Sequence, residues 1–424
     1  MQKAFDVLIL GGGAAGFFTA INLAESSPSL KIAILEKSAA GLAKVKVSGG
    51  GRCNVTHAEF LPKPLSTKYP RGERELLGPF HKFMTGDTMR WFEERGVALK
   101  IEEDGRIFPE SDSSQTIIDC FLSEIDQLGI NFLPKQSVNN FIRENELWEV
   151  ETTSETFRCK SLIVTTGSSS KIWEVLANLG HTIIPPVPSL FTFNIKDERI
   201  SGLPGIATPA TVSLLDLNRN YLKNKRGNRL DEGSLRGPLL ITHWGLSGPA
   251  VLKASAIAAR KLHELDYNFF IEINWLPDWD FASISEKLDA LKLDFAKKAV
   301  FNTNPFTLPR RLWTSLIASV GIDPKKRWAD LDRNTMDTIG QVLYRSHFRV
   351  SGKSTFKEEF VTAGGVSLKD VDFQTFGSKK QKHLYFAGEV LNIDAVTGGF
   401  NFQNAWTGGF LVAKAISQNN GTPS

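Results

Sequence analysis

The chain opens on a short apolar run, residues 5–10, interrupted only by Asp6 and ending at Gly11. A run of that length closed by glycine reads as a buried parallel strand. Residues 14–24 read as a helix and residues 31–35 as a second strand, which together make a βαβ unit. Residues 87–95 predict a helix with Asp87 as N-cap and Gly96 as C-cap. Asp104-Gly105, between residues 99–103 and 106–108, is a hairpin signal. Ile117, Ile118, Phe121, Leu122, Ile125 and Leu128 recur at helical spacing. Residues 161–165 form a further apolar strand running towards Gly167.

The pattern changes at Pro185-Pro186-Val187-Pro188, beyond which short β-like pieces with Gly and Pro punctuation extend to about Trp275. From Ile284 the period turns helical, with Ile284, Leu288, Leu291, Phe295 and Ala299 on one stripe, and stays so to about Tyr344. β-like character returns over residues 348–366. A final buried strand covers residues 383–387, and a closing helix residues 401–417, with Phe402, Ala405, Trp406, Phe410 and Ala413 facing inward. The expected architecture is an α/β, split Rossmann-like domain of residues 1–188 and 366–424. A β-barrel domain of residues 189–275 and 345–365 is inserted in it, and a helical domain of residues 276–344 interrupts the barrel.

Composition narrows the classes without choosing one. The 424 residues are 42% hydrophobic and 23% charged, which excludes a disordered or collagen-like chain. Fifty Lys and Arg against 46 Asp and Glu leave +4, far from a global nucleic-acid footprint. The cysteines, Cys53, Cys120 and Cys159, form no C-x-x-C pair, so zinc and redox-dithiol spacings are absent and no metal site is expected. Residues 4–24 are mostly apolar or glycine, but Asp6 and four glycines interrupt them, and no other stretch nears a membrane span. A soluble protein in a reducing, cytoplasmic setting is expected.

Gly11-Gly-Gly13-Ala14-Ala15-Gly16 fits G-x-G-x-x-G in the right context, with a strand before it, a helix after it and Glu36 closing the next strand. Gly11 allows the tight turn, Gly13 lets a pyrophosphate approach the backbone, and Gly16 lets the helix pack on the sheet. The helix N-terminus offers N–H groups and partial positive charge to phosphates, and Glu36 can accept from ribose hydroxyls. Towards the C-terminus, Gly388-Glu389 follows a buried strand, and Thr397-Gly-Gly399-Phe400-Asn401-Phe402-Gln403 opens the last helix. An acid for ribityl hydroxyls and a second helix N-terminus beside the flavin pyrimidine edge suit FAD rather than NAD. Ser48-Gly49-Gly50-Gly51-Arg52-Cys53-Asn54 is a third, glycine-rich signal. Arg52 reads either as a charge near flavin or substrate, or as a scaffold arginine paired with a carboxylate. Cys53 reads either as a redox thiol or as a small buried hydrophobe.

Together these segments resemble the BaiN/YhiN-like flavoprotein family, the aminoacetone-oxidase-type FAD-binding proteins. The resemblance spans nearly the whole chain, including residues 104–109, 242–249 and 361–366 besides the three motifs. It implies the split FAD-binding domain with interrupted barrel. Its FAD contacts would fall on Gly11, Gly13, Ala15, Gly16, Glu36, Lys37, Ser48, Gly49, Arg52, Asn54, Thr166, Gly167, Gly388, Glu389, Gly399, Asn401 and Phe402. Val138 matches a position whose backbone contacts adenine. Ala14, Gly50, Cys53 and Phe400, inside the motifs, join the candidate cofactor contacts. The chain departs from the family in carrying Gly41-Leu-Ala-Lys44 where Gly-Arg-Lys is common, and a short loop after Gly167.

The expected function is an FAD-dependent oxidoreductase passing hydride between a small organic substrate or NAD(P)H and an acceptor through the flavin. No second G-x-G-x-x-G exists, so NAD(P)H would dock only transiently. His243 and Arg52 are the candidate catalytic residues, with a structural role in the barrel favoured for His243. The alternative is an RNA-modifying flavoprotein. Residues 219–236 hold six basic and two acidic residues, and 285–335 hold ten and six, with Trp313 and Trp328 nearby. A solvated helix face with core tryptophans is favoured over nucleic-acid binding there. A third possibility makes the FAD a structural or sensing group.

Overall fold

The computed structural model describes residues 3–224, 226–230, 235–354 and 361–420. The chain divides into two compact units, residues 1–187 with 357–424, and residues 188–356.

The first unit is built on a parallel sheet. Strand β1 (Lys3–Leu10) lies between β2 (Ile32–Leu35) and the strand Thr156–Val164; Asn131–Leu133 and Leu384–Phe386 continue the order on either side. Val7 to Leu10 are fully buried because β1 is central, with Leu8 opposite both Ala33 and Leu162. That explains an unbroken apolar run where a one-sided strand would alternate. Helix α1 (Ala14–Ser26) is buried from Ala15 through Ala24, since it packs against the closing helix Phe400–Asn420 as well as the sheet. A Cβ on Gly409 would stand 2.8 Å from Thr19 Oγ1, so glycine sets how closely those helices approach. The apolar N-terminus is thus explained by burial on all sides. Among the described residues no helix is long and apolar enough to cross a membrane. The hairpin at Asp104-Gly105 joins Leu99–Ile101 to Arg106–Pro109. The helix placed at 87–95 runs Thr85–Glu93 instead: Asp87 sits in its first turn and accepts from the Met84 N–H at 2.9 Å. Cys120 is half-buried on Ser114–Gln127.

In the second unit an antiparallel sheet closes on itself. Its order begins with Ser346–Ser351 beside Asn268–Asn274 and ends with Lys353–Ser354 beside Thr192–Asn194. Only Gly352 (φ +105°) separates those two edge strands; its N–H donates to Tyr267 O at 2.9 Å and its carbonyl accepts from Asn194 N–H at 3.1 Å. One length of chain serves both edges, which makes the sheet a barrel. Part of the stretch read as β-like is helical, Pro249–Ile257 and Ala259–Glu264. There Pro249 fits the first helical position, and alanines replace the β-branched residues that a strand favours. Leu288, Leu291, Ile339 and Leu343 of the helical stretch share one buried core with Ile271, Ile273 and Val350 of the barrel. Residues 276–344, expected as a domain of their own, lie in the same compact unit as those strands. Trp313 and Trp328 are fully buried there and have no face for a nucleobase.

Candidate functional site

The carboxyl ends of the parallel strands carry the fingerprint residues, where α/β folds place ligands. Gly11 has φ +105°, and a Cβ there would stand 2.7 Å from Thr165 O. A Cβ on Gly16 would lie 2.1 Å from Gly11 O, so α1 touches the turn that precedes it. Nothing lies within 4 Å of a Cβ on Gly13, the N-cap of α1, and no side chain caps that helix. Its N–H groups and dipole are therefore presented to open space. Ala14 and Ala15 form the first turn. Glu36, at the end of β2, accepts from the N–H of Gly12 and of Ser38, each at 2.8 Å, which fixes its carboxylate beside the turn. Lys37 is exposed. Gln136 N–H donates to Glu36 O at 2.8 Å, and Val138 begins the strand Val138–Glu144 two residues later.

On the other flank, Thr166 follows the strand Thr156–Val164, and its Oγ1 is buried without a hydrogen-bond partner. A buried hydroxyl left unpaired costs about 1–3 kcal/mol. A Cβ on Gly167 (φ +60°) would come 3.6 Å from Glu389 Oε2. That carboxylate is held by Lys44 Nζ at 2.5 Å, a pairing across 345 positions that the sequence did not announce. Gly388 (φ +76°) packs between Ala15 and Ala405, so α1, the Gly388-Glu389 turn and the closing helix converge. A buried unpaired hydroxyl, an uncapped helix start facing open space and glycines where a Cβ would collide fit an elongated diphosphate-linked dinucleotide.

The triple-glycine segment continues the helix that starts at Ala43 and then breaks it: Ser48 is extended and Gly49, Gly50 and Gly51 have φ +58°, +69° and +85°. Three successive left-handed residues need glycine. Asn54, with its amide oriented to satisfy its neighbours, donates to Thr56 O at 2.9 Å and accepts from Gly399 N–H at 3.0 Å. A Cβ on Gly399 (φ +88°) would strike Thr56 O at 2.7 Å. The triple-glycine segment and the turn that opens the closing helix are thereby joined through the Asn54 side chain. Around them Tyr69 donates to Phe400 O at 2.6 Å, Thr56 to Gln403 Oε1 at 2.6 Å, and Trp406 to Val55 O at 2.9 Å. Asn401 accepts from Ala395 N–H at 3.0 Å, and Phe402 stacks on Trp406. Arg71 forms a two-pronged ion pair with Asp394, whose side chain is fully buried. None of His57, Tyr69, Arg71 and Asp394 was singled out from the sequence, and Lys44 and Gln403 entered only as members of quoted segments. The local signal was Asp394, the one charged residue within the run 390–396.

Arg52 takes the scaffold role. It pairs with Glu102 at 2.6 Å and Asp112 at 3.2 Å, and its guanidinium lies 3.9 Å over the Phe108 ring. The bond to Glu102 raises its pKa. Cys53 is fully buried, and burial pushes its thiol up to about 12, so the redox alternative lacks a thiolate. His243, favoured as a structural barrel residue, instead stands exposed beside Trp244 (61% exposed) at a hairpin tip. Among the described residues no group of His, Cys, Asp or Glu is placed to hold a metal ion.

Two histidines give the first unit a pH dependence. His57 meets Gly398 O at 3.2 Å, and His181 meets Leu176 O at 3.1 Å and Ser378 Oγ at 2.7 Å. Burial holds both below the ordinary imidazole value of 6.5. The unfolded chain then binds protons more readily, so stability is complete above that value and declines as the pH falls from it through the folded values. Urea midpoints are expected to drop between about pH 7.5 and 5.5, and less so in His57→Gln. A flat profile, or an unchanged slope in the variant, would contradict this.

Comparison with known proteins places the chain. The family model of HI0933-like proteins, described as their Rossmann domain, matches residues 5–415. A ribosomal RNA dihydrouridine synthase of Haemophilus influenzae is 27% identical over 437 residues, covering 99% of this chain and 100% of the relative. A 3-dehydro-bile acid Δ(4,6)-reductase of Clostridium scindens is 25% identical over 420 residues, covering 97% and 98%. Among solved structures, 3-ketosteroid Δ1-dehydrogenase from Sterolibacterium denitrificans is similar in fold, with a TM-score of 0.51 at 12% identity, covering 99% of this chain and 100% of that one. The chain belongs to the HI0933-like Rossmann family, the BaiN/YhiN-type flavoproteins, and is an FAD-dependent oxidoreductase.

Proposed function

We propose that this oxidoreductase saturates a carbon–carbon double bond conjugated to a carbonyl in a planar ring. Two relatives that span nearly the whole chain support it by name. Dihydrouridine is uridine with its ring double bond reduced, and a Δ(4,6)-reductase acting on a 3-dehydro-bile acid reduces double bonds in line with a ketone. When bound, FAD supplies hydride transfer. The chain's own residues hold it. The N–H groups at the start of α1 face its diphosphate, the remaining lone pairs of Glu36 accept from ribose hydroxyls, and Glu389 accepts from the ribityl chain while Lys44 offsets its charge. The closing helix presents its N-terminus at Phe400 and Asn401 to the flavin pyrimidine edge. NADH or NADPH, docking transiently, is the electron donor.

The observation that carries the cofactor assignment is the buried, unpartnered Thr166 hydroxyl beside the Gly11 turn. Anaerobic stopped-flow mixing tests the reaction. The bound flavin is expected to bleach with NADH or NADPH. Its colour should then return on adding uridine-containing RNA or a 3-oxo-4,6-diene steroid, and not on adding the saturated analogue of either. Recovery with air alone would make the protein an oxidase. Failure of either nicotinamide to bleach the flavin would remove the donor assignment.

A further inference from the structure

Strand register gathers cations and aromatic rings on the outer face of the barrel, away from its core. Along Asn268–Asn274 the side chains alternate: Phe269, Ile271 and Ile273 are buried, while Phe270 and Glu272 face outward. Phe270 lies opposite Arg349 and Glu272 opposite His347. The excursion after Leu215 folds over this surface. The Arg219 guanidinium lies 5.1 Å from the centre of the Phe270 ring, and that of Arg229 lies 3.5 Å from Tyr221 while donating to Ser213 Oγ at 3.0 Å. Tyr221 donates to Glu272 at 2.9 Å, and His347 and Arg345 approach the same carboxylate at 3.3 and 3.9 Å. One arginine and one histidine therefore approach this carboxylate, and Arg219, Arg229 and Arg349 share the same face around it. Asp216, the nearby acid at the turn, is engaged by the N–H groups of Asn218 and Asn220 at 2.8 Å each. Arg219, Arg345 and Arg349 are exposed.

An ordinary solvated face mixes lysine with glutamate. This one uses arginine set against aromatic rings. A guanidinium stacked on a ring is pre-organised and keeps its N–H edge for a phosphate, so little side-chain freedom remains to be lost on binding. Of the two basic tracts in the sequence, residues 285–335 have their tryptophans in the core, whereas Arg219, Tyr221 and Arg229 of the other lie over this face; 225 and 231–234 fall outside the described residues. We propose that the outer face around Arg219, Phe270, Arg345 and Arg349 docks the phosphate backbone of RNA. The unsaturated ring that this enzyme reduces would then arrive as a base within a polynucleotide. This rests on the double-bond-reductase assignment, and it names the carrier of the substrate.

The flavin-loaded, full-length protein is titrated into a fluorescein-labelled oligouridylate and followed by anisotropy. Binding is expected at low salt, weakening with a log–log slope of about −2 for three phosphate contacts on a single strand. The double variant Arg219→Gln/Arg349→Gln should bind about 10-fold more weakly and lose roughly one to two of that slope. Its flavin spectrum and bleaching by NAD(P)H should match the parent, which also shows that it is folded. Arg345→Gln provides an independent single change with the same direction. No binding at low salt, variants that bind like the parent, or equal binding to phosphatidylserine vesicles would each overturn the proposal. RNA binding that survives when neither RNA nor the 3-oxo-4,6-diene steroid reoxidises the reduced flavin would remove the reductase assignment and leave the docking face standing.

Discussion

Gly13→Ala is expected to yield a folded protein that has lost its flavin, and Gly16→Ala a protein that has lost both flavin and stability. The two positions lie three residues apart in one motif, and the surrounding space separates them. An added methyl at Gly13 meets no atom within 4 Å, and Gly13 has φ −95°, which any residue adopts. The methyl would occupy only the approach to the α1 N-terminus, so flavin content should fall at least about 10-fold, or ~1.4 kcal/mol, with the apoprotein melting unchanged. At Gly16 the same methyl meets Gly11 O at 2.1 Å and Thr165 Oγ1 at 2.9 Å. Both are held by the sheet, so α1 must lift away, at the upper end of the ~1–3 kcal/mol usual for overpacking. A melting temperature lower by about 6–12 °C follows for a unit of this size. Absorbance of the purified variants and thermal melts of their apo forms provide the measurements. Normal FAD affinity in Gly13→Ala would sink the placement of the diphosphate.

Arg71→Met should be the most damaging change outside the glycines. It strands the Asp394 carboxylate, which is fully buried, without its two-pronged partner. Breaking a buried ion pair from one side costs about 3–5 kcal/mol, because the remaining charge is left in a poor solvent. The loop that Asp394 anchors also ties Val396 N–H to Lys68 O at 3.0 Å and leads straight into Gly398 and Gly399. Loss of the pair should therefore loosen the start of the closing helix as well as lower the urea midpoint. Faster flavin release is the expected companion. The double change Arg71→Met/Asp394→Leu should recover much of the stability, since a well-filled apolar pair avoids the stranded charge. A single-variant loss below about 1 kcal/mol would show that the pair does not anchor the loop.

Parts of the site were legible from sequence and parts were not. The Gly11 turn, the α1 start and Glu36 belong to one stretch of chain, where each residue's task follows from its neighbours. Arg52 could be read in opposite ways because its partners, Glu102 and Asp112, lie at the turn and just past the end of another hairpin. His243 looked like a barrel residue because the strands around it are apolar, but it falls in the turn between Arg236–Ile241 and Gly245–Ser247. The helices at Pro249–Glu264 were hidden by Gly245, Gly248 and Pro249 at their start, residues that also punctuate β structure.

The sequence by itself determined the local backbone: where strands are buried on both faces, where a helix begins on bare N–H groups, and where only glycine can turn. Such features depend on a few adjacent residues and on sterics that act within a turn or two. The pairing of Lys44 with Glu389, of Asn54 with Gly399 and of Arg71 with Asp394 was decided only in three dimensions. Each joins segments more than 300 positions apart, so its geometry exists only after the parallel sheet has brought both ends of the chain to one edge.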